Sequence, residues 1–291
     1  MAIANVEKAK RVLPSDFDQI IAVTRVEFLR NLRRKRLLIF AIIIALVSAL
    51  VLAVPLFFDG YPKGSSLSPY IFAQNFMAGI SFLTILLAVF YGGDALVSEF
   101  SNKTGYAIFP NPIRRSSLFV GKLFASLLAC FLILGSYYII IAVSMLAVYS
   151  TLVIELLYSF LFALLYMSAC LGVAFAISAL MRSTVSALVL TFVLFLFVLS
   201  MLSGILMFAR VRAEPLLTFQ VGVISGFLSG PYPGSYPPPT ERTFIPVDNR
   251  TSFEFVTYNP TVVNGIIVCI IWLIVSLSLA YFVFRRREML G

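Results

Sequence analysis

Residues 92–122 read GGDALVSEFSNKTGYAIFPNPIRRSSLFVGK. The run holds acids (Asp94, Glu99), bases (Lys103, Arg114, Arg115, Lys122) and two prolines one residue apart, Pro110 and Pro112. The residues on either side, Tyr70 to Tyr91 and Leu123 to Tyr149, carry no charge at all. An uncharged apolar stretch of about 20 residues or more matches the hydrocarbon thickness of a bilayer. The polar insert is therefore a water-facing connection between two membrane spans, and reading it this way decides the fold. Its punctuation is that of a stiff element. Thr104-Gly105 can close a short helix, since glycine accepts the left-handed conformation past a helix end. Phe109-Pro-Asn-Pro forces an extended turn, and Ser116-Ser117 suits the start of the next span. The expected result is a short amphipathic helix and an elbow wedged between spans 2 and 3.

Composition supports the same solvent for the rest of the chain. Of 291 residues, 60% are hydrophobic and only 12% charged, with a mean hydropathy of +1.00. A soluble domain carries about 25% charged residues; this chain could not cover its surface in water. Six spans are expected, near residues 37–58, 70–91, 123–149, 152–180, 184–208 and 262–284. Residues 1–36 form a polar, basic leader too long and too charged for a signal peptide, so the first apolar run reads as a retained span. Ser15 can cap a helix over residues 16–36. There Phe17, Ile20, Ile21, Thr24, Phe28 and Leu32 recur at helical spacing, with Arg25, Arg30, Arg33 and Arg34 mostly off that stripe, the pattern of a helix lying in the membrane interface. Between spans 5 and 6, residues 209–264 make a long connection. PLLTFQVGVISGFLSG is apolar but too short to cross, a candidate re-entrant helix. PYPGSYPPPTERTFIP is proline-rich and is expected to be irregular.

Net charge is +9. Every Lys and Arg except Lys63, Arg210, Arg212, Arg242 and Arg250 falls on the side that holds both termini and residues 92–122. The positive-inside rule makes that side cytosolic and the long loop external. The charge thus speaks for a membrane surface and not for nucleic acid. Histidine is absent, which removes His-ligated haem, most zinc and copper sites and any His general base; no cofactor is expected. Cys130, Cys170 and Cys269 sit inside apolar runs and read as small buried hydrophobes. No phosphate-binding loop occurs, because Gly121-Lys122 is followed by Leu123 and has no glycine five residues earlier. The chain carries no nucleotide motor of its own and is not expected to be an enzyme.

Other features have simple readings. Glu155, near the outer edge of span 4, is a candidate transport residue or an interfacial packing group. Trp272, mid-span, packs or meets a hydrophobic substrate. Ser168, Ala169, Gly172, Ala176 and Ser178 give span 4 a close-approach face. Asn249-Arg-Thr251 is a glycosylation sequon in the external loop, whereas Asn102-Lys-Thr104 is expected to be cytosolic and silent.

The order acid, base, Thr-Gly, apolar pair, proline, arginine, then Gly-Lys is carried by Glu99, Lys103, Thr104-Gly105, Ile108-Phe109, Pro112, Arg114 and Gly121-Lys122. With six spans, a basic amphipathic helix bearing Glu27 and a long connection before the last span, it resembles the ABC-2 family of transporter permeases over essentially the whole chain. The commoner form has Gly-Thr soon after the acid, so the Thr-Gly order here marks a divergent branch. The resemblance implies an all-α polytopic membrane protein in two parts. Residues 1–36 are the cytosolic tail and amphipathic interface helix, and residues 37–291 are a six-span permease domain. It implies a plasma-membrane transporter subunit with cytosolic termini, paired with a second permease chain and driven by two separate ATPase subunits. Export of a hydrophobic or amphipathic substrate is favoured. It further implies that Asp94, Glu99, Lys103, Thr104, Gly105, Phe109, Pro110, Pro112 and Arg114 couple to the ATPase, with Glu27, Arg30, Arg33 and Arg34 on the interface helix beside it. The alternatives are a non-transporting membrane scaffold that uses the elbow as a docking site, and a membrane enzyme, which the missing histidine disfavours.

Overall fold

A computed structural model describes residues 15–33, 35–57, 60, 65, 67–98, 114–230, 232, 235–248 and 251–286. Residues 99–113, and with them Glu99, Lys103, Thr104, Gly105, Phe109, Pro110 and Pro112, lie outside it, as do Arg34 and Asn249.

The chain begins with α1 (Asp16–Arg33). Ser15 caps it: its Oγ accepts from the Asp18 N–H at 3.2 Å and donates to the Asp18 carboxylate at 2.7 Å. Asp16 and Asp18 in the first turn and Arg30 and Arg33 in the last each oppose the helix dipole of their end. Among the described residues, six helices long and apolar enough to cross a membrane follow. Span 1 is α2 (Lys35–Phe57). Span 2 is split into α3 (Ser68–Met77) and α4 (Ile80–Gly92) by a turn at Ala78-Gly79. Span 3 is α5 (Arg115–Tyr149), span 4 is α6 (Glu155–Leu180), span 5 is α7 (Thr184–Phe208) and span 6 is α8 (Val262–Arg286). A π-turn at Leu194–Leu199 interrupts α7; it lets Ser200 Oγ reach the Phe195 carbonyl at 2.8 Å.

Helix α6 is the axis of the bundle. Its most apolar window is 72% buried, against 17% for α2, 22% for α7 and 17% for α8. The last three therefore turn most of their apolar surface outward, as lipid-facing helices do. The small-residue face read from the sequence explains how α6 takes so many neighbours. A Cβ on Gly172 would lie 2.5 Å from Ser276 Oγ of α8, so only glycine permits that approach.

Helix α5 starts at Arg115, well before the apolar run at Leu123. At about 1.5 Å per residue its 35 residues span roughly 50 Å, whereas the hydrocarbon layer is about 30 Å thick. Its first two turns stand clear of the apolar layer as a foot, and α1 packs along that foot.

The long connection is more regular than its composition suggests. The apolar part forms a 3₁₀ segment, Leu217–Val221, and one α-turn, Gly222–Gly226. The proline-rich part is not irregular throughout, as its composition predicts, but runs into an antiparallel hairpin of β1 (Thr240–Asp248) and β2 (Thr251–Tyr258). The register pairs Thr240 with Tyr258 and Pro246 with Ser252, and shifts between Pro246 and Asp248. A proline is tolerated there because a two-stranded sheet is all edge, and edges and bulges need no N–H at every position. The fold is thus all-α in its spans with a small β element appended.

Candidate functional site

The site lies at the end of the bundle where α1, the start of α2, the end of α4, the start of α5 and the end of α8 meet. Four of these ends carry basic residues, so it is called the basic end below. Its centre is an ion pair that crosses from α1 to the foot of α5. Lys122 Nζ donates to Glu27 Oε1 at 2.9 Å, with the lysine side chain 2% exposed and the glutamate 11%. The other oxygen of Glu27 takes Arg30, one turn along α1. Two charges this far from water persist only when each is matched, because removing one partner strands the other in a poor solvent.

Packing locks the same contact. A Cβ on Gly121 would lie 2.7 Å from Val23 Cβ and 3.2 Å from the Ile20 carbonyl, so α1 and α5 touch backbone to side chain. Thr24 Oγ1 donates to the Gly121 carbonyl at 3.2 Å. At the tip of the foot, Gln19, itself buried, accepts the Arg114 N–H on Oε1 at 3.1 Å. That N–H would otherwise be unpaired ahead of the helix. The Arg114 side chain pairs with Asp16. Arg115 Nη1 donates to the Arg285 carbonyl at 3.0 Å, joining the foot to the end of α8.

A second pair fixes the end of span 2. Arg36, at the start of α2, pairs with Asp94 at 2.7 Å and donates to the Phe90 carbonyl at 2.8 Å. The backbone that leaves α4 is held from the other side by α6: Ser178 Oγ accepts the N–H groups of Leu96 and Val97 at 3.0 and 3.1 Å. Ser126 of α5 donates to the Tyr91 carbonyl at 3.0 Å. Between the two pairs lies a narrow polar recess lined by Glu27, Arg30, Tyr91, Asp94, Lys122 and Ser126.

Of the residues singled out in the sequence, the structure brings Glu27, Arg30, Asp94 and Arg114 to this one end, while Arg33 is exposed on α1. The apolar stripe of α1 splits: Phe17, Ile21 and Leu32 are exposed, whereas Ile20, Thr24 and Phe28 are half-buried, and the residues most buried against the bundle are the polar Gln19 and Glu27. Sequence reasoning misses Arg36, Gln19 and Ser178 as members of this site, and singles out Lys122 without its partner Glu27. A signal for Lys122 exists, as a charge directly ahead of an uncharged run, matched by Glu27, the one acid of α1 beyond its first turn.

At the opposite end, Glu155 opens α6 and accepts from the Tyr70 hydroxyl at 3.2 Å. It sits in the first helical turn, where a carboxylate meets the positive end of the helix dipole, and ties span 4 to span 2. Trp272 donates from Nε1 to the Pro215 carbonyl at 3.0 Å, so its role includes holding the long connection as well as filling space.

Six apolar helices around one buried axis, with a charged clamp on the connections at one end, define a multi-pass membrane protein. Residues 21–289 match the family described as ABC-2 family transporter protein. The chain belongs to that family and is a membrane permease component of an ABC transporter. Permeases of this family are in general non-catalytic and associate with ABC ATPase subunits. Among curated proteins none matches the sequence.

Proposed function

We propose that this permease is the force-receiving half of an ATP-driven exporter, and that residues 99–113 dock a separate ATPase subunit in the cytosol. Six spans put α1 and the end of α8 on the same side as that segment, and the charge distribution favours the cytosol for it. Two permease chains and two ATPase subunits make the transporter in the plasma membrane. Glu99, Lys103, Thr104, Gly105, Phe109, Pro110 and Pro112 meet the motor, with Asp94 and Arg114 at the edges of the contact. Glu27, Arg30, Arg33 and Arg34 brace it from α1. The long connection faces outward, which leaves Asn249 accessible as a glycan acceptor.

One observation supports this reading above the others: the described residues on either side of 99–113 are bonded into the same helix bundle. On the upstream side Asp94, Leu96 and Val97 are held by Arg36 and Ser178. On the downstream side Arg114 is held by Gln19 and the foot of α5 is clamped to α1. A push on the segment therefore reaches spans 1, 2, 3 and 4 together. A segment tethered by flexible linkers would dissipate it. The uncharged bundle suits a hydrophobic or amphipathic substrate, since an ion crossing it would meet few groups to replace its hydration.

The test is co-purification with a co-expressed ABC ATPase in mild detergent, followed by ATP hydrolysis in lipid nanodiscs. The wild-type chain should retain the ATPase and change its turnover. Glu99→Ala with Phe109→Ala should release it while leaving the chain inserted. Replacing Pro110 and Pro112 by alanine should keep the complex but lower the substrate moved per ATP. If no ATPase is retained, the scaffold reading is favoured instead; if the double variant retains it as well as wild type, the ATPase docks elsewhere and the role given to residues 99–113 fails.

A further inference from the structure

A second recess lies at the basic end, away from the clamp, between the last turns of α6 and α8. It is a shallow, open recess of about 360 Å3, lined by Ala179, Leu180, Arg182, Phe282, Val283 and Arg286. Among the described residues its two cations are uncommitted: neither Arg182 nor Arg286 is ion-paired to a carboxylate or hydrogen-bonded to a carbonyl. Three other arginines of this end are, Arg36 to Asp94, Arg114 to Asp16, and Arg115 to the Arg285 carbonyl. Compensation of the α6 and α8 dipoles would bring the two guanidinium groups onto the last carbonyls, and among the described residues no such bond is present. Arg286 is instead held over the Phe282 ring, 4.0 Å from its centroid, which orients the guanidinium without neutralising it.

Three neighbours add to the site's character. Helix α7 begins two residues beyond Arg182, and its first turn has no side-chain cap, so its positive end lies at the same corner. Leu180 and Phe282, which form the apolar lip, are 53% and 51% exposed. The recess thus has paired guanidinium groups above bare hydrocarbon at the depth where a helix leaves the membrane.

We propose that this recess binds the head group of an anionic glycerophospholipid, with the phosphodiester between Arg182 and Arg286 and an acyl chain against Leu180 and Phe282. A basic pocket between helix ends on the cytosolic face is the arrangement that selects acidic head groups, and the apolar lip separates a lipid from a free phosphate. Placement in the inner leaflet rests on the cytosolic orientation proposed above; the binding itself does not. Because α6 is the axis of the bundle, a lipid wedged between its end and α8 sits where it senses any separation of spans 4 and 6.

The full-length chain, stripped of lipid in neutral detergent, is titrated with phosphatidylglycerol or phosphatidylcholine and followed by native mass spectrometry. Phosphatidylglycerol should bind more tightly. Each arginine near the surface is worth about five-fold, so Arg182→Gln with Arg286→Gln should weaken phosphatidylglycerol about thirty-fold and leave phosphatidylcholine unchanged. The corresponding double lysine variant should retain most of the preference. Equal binding of the two lipids by wild type, or of phosphatidylglycerol by wild type and the glutamine variant, overturns the proposal. So does competition by glycerol phosphate at the same concentration, which would assign a soluble anion. A glutamine variant that keeps phosphatidylglycerol but loses a co-expressed ATPase would assign the arginines to a protein partner, again overturning it. Accessibility of a C-terminal tag in sealed vesicles reports orientation separately: an external tag would sink the cytosolic reading and leave the detergent result standing.

Discussion

The two ends of this bundle are held together by different chemistry. At the basic end, charged side chains meet other charged side chains across helices: Glu27 with Lys122, Asp94 with Arg36, Asp16 with Arg114. At the opposite end, beside the Arg212–Glu214 and Tyr70–Glu155 pairs, most bonds between elements run from a side chain to a backbone carbonyl. Trp272 donates to Pro215, Tyr236 to Pro260, Tyr258 to Arg210, Arg212 to Pro239, Asn259 to Pro238 and Ser159 to Ile224. The difference follows from what each end has to satisfy. The long connection is irregular over much of its length and leaves carbonyls without ladder partners, which must be paired once buried. The basic end is built from helix termini, and there side chains bind elements to one another in addition to pairing terminal backbone groups. One end is a seat for a loop, and the other is a joint between helices.

If that contrast holds, the largest single effect lies at the buried pair. Glu27→Ala removes the carboxylate that meets the Lys122 ammonium at 2% exposure and should cost about 3 kcal/mol, read as a lowered thermal unfolding midpoint in detergent. Combining it with Lys122→Met should recover most of the loss, because an apolar side chain of similar length suits the same space. A double variant no more stable than Glu27→Ala would show that the pair is not the source of the coupling between α1 and α5.

Gly121→Leu comes next. The new side chain must displace Val23 and with it α1, an overpacking cost of about 1–3 kcal/mol. Val23→Ala in the same chain should relieve part of it. Cysteine crosslinking between α1 and the foot of α5 should report the shift directly. If the leucine variant crosslinks and melts like wild type, α1 is not seated on α5 at this point.

Much of this architecture is legible in the sequence alone. Six spans, the capped amphipathic helix and the polar insert follow from charge-free runs, helical spacing and one serine ahead of two acids. What is not legible is which face of α1 meets the protein. Spacing marks Phe17, Ile20, Ile21, Thr24, Phe28 and Leu32 as the apolar stripe, of which Phe17, Ile21 and Leu32 are exposed and Ile20, Thr24 and Phe28 half-buried. In a membrane protein the outer solvent is also apolar, so the stripe does not say which side is lipid and which is core. The deciding group is Glu27, whose burial is set by a lysine 95 residues away; periodicity within one helix carries no information about a partner on another. The β hairpin is hidden for a related reason. Prolines forbid a central strand but not an edge, and a sequence does not state how many edges a sheet has.

The opposite end should respond more mildly. Tyr236→Phe removes one hydrogen bond of 2.7 Å to the Pro260 carbonyl and should cost about 1 kcal/mol. Burial pushes the Tyr236 phenol pKa up, so wild type keeps its donor throughout the neutral range. The effect should be local: faster protease cleavage within residues 229–261, with the unfolding midpoint of the spans nearly unchanged. A uniform fall in stability would mean that the loop seat and the helix joint are one cooperative unit.

The smallest effect tests whether charge at the basic end matters by sign or by burial. Asp16 and Arg114 form an ion pair like the one at Glu27, but their side chains are 51% and 68% exposed. Water already solvates both groups, salt screens them, and the long arginine side chain loses freedom on pairing, so the net gain is at most about 1 kcal/mol. Asp16→Asn should therefore shift the unfolding midpoint barely, and by less at high salt than at low salt. The Arg114 N–H would still be held by Gln19 at 3.1 Å, which keeps the start of α5 in place whatever its side chain does. Gln19→Ala should then exceed Asp16→Asn in effect, since it unpairs a backbone donor at the tip of the foot. The reverse order would mean that the exposed charge, and not the buried amide contact, positions the segment on which the motor is proposed to push.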